Sequence, residues 1–96
     1  MYDKYKDIPL EELFDAILCL KNREDCYKFL DDLCTVQELR ALSQRLQVAK
    51  MLNRQRVYND IAAETGASTA TISRVNRSLH YGSGGYRAIL GRLEGK

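Results

Sequence analysis

The chain has 96 residues, 45% of them apolar, with a net charge of +2, one histidine and one proline. That length holds one compact domain rather than two, and leaves apolar surface poorly covered unless copies associate. The composition excludes the common catalytic and cofactor constellations: there is no Ser–His–Asp spacing, no phosphate-binding loop and no cysteine–histidine metal cluster.

Charge is unevenly spread. Residues 1–38 hold five Lys or Arg against ten Asp or Glu, whereas residues 39–96 hold ten against three. An acidic front and a basic back fit a module that faces phosphate with its second half. No apolar run approaches the roughly 18 residues of a membrane span, and no leader pattern stands at the start. The chain therefore reads as cytoplasmic and reduced, with no membrane partner.

Pro9, Glu11 and Glu12 open a first helix whose apolar residues Leu10, Leu13, Phe14, Ile17, Leu18 and Leu20 recur at helical spacing. Asn22 is placed to cap a second helix that carries Cys26, Phe29, Leu30 and Leu33 and ends near Cys34. Cys19, Cys26 and Cys34 form an odd set without a C-x-x-C pair, and read as small packed hydrophobes. These two helices hold more apolar surface than a small head could cover, which points to an association surface. Thr35 and Glu38 then form a capping box, Thr35 as N-cap and Glu38 reaching back. They open the longest helix, through Leu39, Leu42, Leu46, Val48, Ala49 and Leu52, fraying over the basic joint 53–56.

The most specific stretch is YNDIAAETGASTATISRVNR, residues 58–77. A helix over 57–65 carries Ile61 and the small Ala62, which lets a second helix cross closely. Gly66 supplies the left-handed stop and Ser68 the next N-cap. A second helix over 68–79 buries Ile72, Val75 and Leu79 and turns Thr69, Ala70, Thr71, Ser73 and Arg74 outward. Short and cationic side chains there suit a DNA major groove. The run from Tyr81 to Tyr86 breaks the pattern, and residues 87–93, with Ile89, Leu90 and Leu93, form a closing helix.

With the capping box, the long helix and ETGASTATISR together, the sequence resembles the Trp repressor superfamily, in particular its Trp-repressor-like YerC/YecD branch. The resemblance is strongest over 34–79. It implies a single all-α domain of about six helices, paired as an intertwined homodimer. Residues 1–33 would be dimerisation helices, 34–56 the central helix, 57–79 the helix-turn-helix and 80–96 the terminal turn and helix. Two heads would then stand about one turn of DNA apart, roughly 34 Å.

The resemblance also implies an effector pocket, matched here by Thr35, Arg45, Arg74 and Ser78. The pocket's small glycine is replaced by Val75, whose three extra carbons fill the place of an indole ring, so L-tryptophan is not expected as a corepressor. Arg45 and Arg74 then read instead as dimer-interface or phosphate contacts. In the first reading helix two long basic residues of the repressors are replaced by Asn59 and Ala62, which changes the operator. Arg54, Arg56, Arg74 and Arg77 are the candidates for phosphate contacts, and Ser68, Thr69, Ala70 and Ser73 for base edges or water-bridged contacts. The sum is a sequence-specific regulator of repressor type that binds double-stranded DNA as a homodimer, without cofactor or metal. The alternative is a helical protein-interaction adaptor in which the helix-turn-helix is only a scaffold and Tyr2, Tyr5 and Tyr27 join the docking surface.

Overall fold

A computed structural model describes residues 2–95, and all of their regular structure is helical. A short 3-10 turn over Asp3–Tyr5 precedes six α-helices: α1 (Leu10–Leu18), α2 (Arg23–Leu33), α3 (Val36–Asn53), α4 (Tyr58–Thr65), α5 (Thr69–Tyr81) and α6 (Gly85–Glu94). The chain groups into two compact units, one ending at Thr35 and one beginning at Val36.

In the first unit, α1 stops at Leu18, two residues short of the expected Leu20. The Cys19 and Leu20 amides close back on the Ala16 and Ile17 carbonyls in a tightened last turn. Asn22 caps α2 as its sequence position predicts: its side-chain oxygen accepts from the Asp25 amide at 2.8 Å, and the Asp25 carboxylate accepts from the Lys21 amide at 3.1 Å. This is a reciprocal cap in which each side chain satisfies an orphan backbone donor. No residue of α1 or α2 is buried. Phe14 is 49% exposed and Leu18 81%. The reading of Cys19 as a packed hydrophobe fails in the single chain, where it is exposed at the end of α1, while Cys26 and Cys34 are half-buried.

The second unit has a true core. Val48, Ala49 and Met51 of α3 meet Ile61 of α4, Ala67 of the turn, Ile72, Val75 and Leu79 of α5 and Leu90 of α6, with Leu52, Ala62 and Tyr86 packed against them. Only the later half of α3 enters this core; Leu42 and Leu46 remain exposed. The long helix ends in a Schellman motif, with the Arg56 amide on the Met51 carbonyl at 3.0 Å and the Gln55 amide on the Leu52 carbonyl at 2.9 Å. Gln55 holds the left-handed position at φ +61°, where glycine is usual.

α5 runs to Tyr81, two residues beyond the expected end, and one of its last carbonyls has a side-chain donor. The Arg87 Nε donates to the Leu79 carbonyl at 3.0 Å, and its Nη2 lies 3.1 Å from His80 Nδ1. Gly82 follows at a point where a Cβ would collide with the Ser78 carbonyl. α6 opens at Gly85 rather than Arg87 and buries Leu90.

Candidate nucleic-acid interface

The geometry of α4, its turn and α5 is set by a small group of hydrogen bonds. Gly66 takes φ +73° and its amide closes on the Ala62 carbonyl at 2.9 Å, ending α4 in the left-handed conformation. The Thr65 hydroxyl donates to the Ile61 carbonyl at 2.7 Å and accepts from the Ala67 amide at 3.1 Å. From α3, the Gln44 side-chain amide donates to the Thr65 carbonyl at 3.1 Å. Ala67 is buried beneath the turn, and these bonds tie it to both α3 and α4.

Ser68 caps α5. Its hydroxyl accepts from the Thr71 amide and donates to the Thr71 hydroxyl, both at 3.1 Å. Ser68 and Thr71, taken from sequence as groove-facing residues, therefore spend their hydroxyls on each other. Thr69, Ala70, Ser73, Arg74 and Arg77 are exposed on α5, opposite Ile72, Val75 and Leu79 in the core. Ser73, Arg74 and Arg77 line a shallow concavity along that outer face. Asn59, in the first turn of α4, is exposed too, whereas Ala62 packs on the core.

The arginines differ. Among the described residues, Arg54, Arg74 and Arg77 have no carboxylate partner. Arg56 has one: its Nη2 lies 2.6 Å from Glu64 Oε1. The hydrogen bond to Glu64 and that residue's charge, with a smaller contribution from Asp60, raise the Arg56 pKa above the usual guanidinium value. Sequence reading missed Glu64, since a pair eight positions apart across a helix start leaves no periodic mark. It also missed Gln44 and Arg87, whose partners are backbone carbonyls on other elements.

Of the residues matched to the effector pocket, Arg74 and Ser78 are exposed one turn apart on α5, Arg45 is half-buried on α3, and Thr35 is exposed at the end of the first unit. Val75 is 2% exposed and belongs to the core. Among the described residues no cluster of His, Cys, Asp or Glu could hold a metal ion, and no helix is long and apolar enough to cross a membrane.

Two short helices joined by a tight left-handed turn, the second one polar and basic outside and apolar inside, constitute a helix-turn-helix, the motif of a DNA-binding regulator. Residues 9–94 match the family model described as Trp repressor protein. The chain is 52% identical over 92 residues to the uncharacterised protein YerC of Bacillus subtilis (strain 168), covering 96% of this chain and 88% of that one. Among solved structures, a TrpR-like protein from Eubacterium eligens is 55% identical, with a TM-score of 0.91 over 96% of this chain and 95% of that one. A candidate Trp repressor from Staphylococcus aureus is 62% identical, with a TM-score of 0.86 over 88% and 85%. The chain belongs to the Trp repressor family, a family of helix-turn-helix regulators.

Proposed function

We propose that this protein is a sequence-specific, double-stranded-DNA-binding transcriptional regulator of repressor type, a single cytoplasmic domain that works as a homodimer. The observation that carries this reading is the two-sided α5: Thr69, Ala70, Ser73, Arg74 and Arg77 exposed on one side, Ile72, Val75 and Leu79 in the core on the other. Thr69, Ala70 and Ser73 are short enough to approach base edges, while Arg54, Arg74 and Arg77 are cationic groups suited to the backbone on either side. Selection of bound sequences from random duplex DNA tests it. Enrichment of a two-fold symmetric site with half-sites about one helical turn apart is the expected result; recovery of unenriched sequence would count against specificity.

The burial of Val75 in the core favours a regulator that does not use L-tryptophan, because a ring seated there would require the core to reopen. Titration calorimetry with L-tryptophan should give no heat of binding at micromolar ligand, and a micromolar dissociation constant would refute the closed-pocket reading.

A further inference from the structure

Residues 39–96 contain three acids, Asp60, Glu64 and Glu94, and two of them stand on α4. In a helix-turn-helix the first helix crosses the sugar–phosphate backbone, so this is a costly place for negative charge if the surface is only to attract DNA. Asp60 and Glu64 are one turn apart, and both act on the Arg56 guanidinium. The Arg56 backbone is fixed by the end of α3, through its amide on the Met51 carbonyl. Its side chain reaches Glu64 at 2.6 Å, where the two side chains are 39% and 56% exposed. A pair so open to water is held weakly, and water, salt or another anion can reach both partners.

We propose that Glu64 is an internal competitor for the DNA backbone: it occupies the Arg56 guanidinium with a carboxylate that a phosphate oxygen must displace when duplex binds. This inference rests on the DNA-binding reading above. The guanidinium fork donates to carboxylate and phosphate oxygens with the same geometry, so the exchange replaces one charge-assisted contact by another and yields little net affinity from Arg56. Glu64 thereby lowers binding to any duplex and leaves discrimination to the outer face of α5, since backbone contacts carry no sequence information.

The test uses the full chain with two labelled duplexes of unrelated sequence, each three helical turns long, at low salt. Glu64→Gln should bind both duplexes more tightly, by roughly two- to fivefold per head, with thermal unfolding like the wild type. The gain should vanish when Arg56→Ala is added, and Arg56→Ala alone should weaken binding less than Arg54→Ala. Wild-type binding with no gain in Glu64→Gln, or with a loss of the size seen for Arg56→Ala, overturns the inference and leaves DNA binding standing; a loss would make Glu64 a residue that positions Arg56. No binding of either duplex by any variant overturns both.

Discussion

Gln55 is the one non-glycine residue with positive φ among the described residues, at the turn where α3 hands over to the helix-turn-helix. A side chain in the left-handed region costs about 1 kcal/mol relative to glycine, and Gln55 is exposed. Gln55→Gly should therefore stabilise the fold by up to about 1 kcal/mol, less the chain entropy glycine adds to the unfolded state. Urea denaturation at fixed protein concentration reads this directly, and a destabilised variant would show that Gln55 makes a contact not visible in the folded chain. Ser68 illustrates how one residue type serves two roles. In sequence it stands equally well as cap and as groove-facing donor, and only the paired hydroxyls of Ser68 and Thr71 assign it to the cap.

At the level of the elements, α5 should carry two separable kinds of contact with the neighbouring joint. Thr69→Ala should relax preference at one or two base pairs, at ~1–3 kcal/mol on a matched site. Arg54→Ala should weaken all sequences about equally and flatten the salt dependence by roughly one phosphate per head. Measuring both variants on a matched and a scrambled site at two salt concentrations separates these roles; identical losses on both sites would show the division to be wrong. The starts of α2, α3, α4 and α5 and the ends of α3 and α4 were legible in the sequence because their signals are local: Asn22, Thr35, the polar joint at 53–56, Gly66 and Ser68. The start of α6 was not, since Gly84 and Gly85 read as loop, whereas Gly84 is the left-handed cap and Gly85 the first helical residue, just ahead of Tyr86 and Leu90, which pack on the core. The turn at Asp3–Tyr5 is too short to show any period. Within the candidate site the outward row of α5 followed from helical spacing, whereas the Arg56–Glu64 pair depends on how the chain folds back past Val57.

For the whole molecule, the contrast between the two units governs behaviour. The unit from Val36 onward buries nine hydrophobic residues; α1 and α2 bury none, although Phe14, Ile17, Leu18 and Leu33 are apolar and exposed. At about 25 cal/mol per Å² of apolar surface, leaving these side chains in water forfeits several kcal/mol. Sedimentation equilibrium at micromolar concentration should accordingly return a dimer, and a clean monomer of 11.0 kDa would leave the two heads without fixed spacing. The proposed pairing would also tie dose to response. When a helical unit gains its core only by meeting a second copy, the concentration of assembled dimer rises with the square of the chain concentration at low abundance. A cell making half as much of this protein would then hold well under half as much of the proposed working dimer, and the genes beneath it would respond to its synthesis more steeply than in proportion.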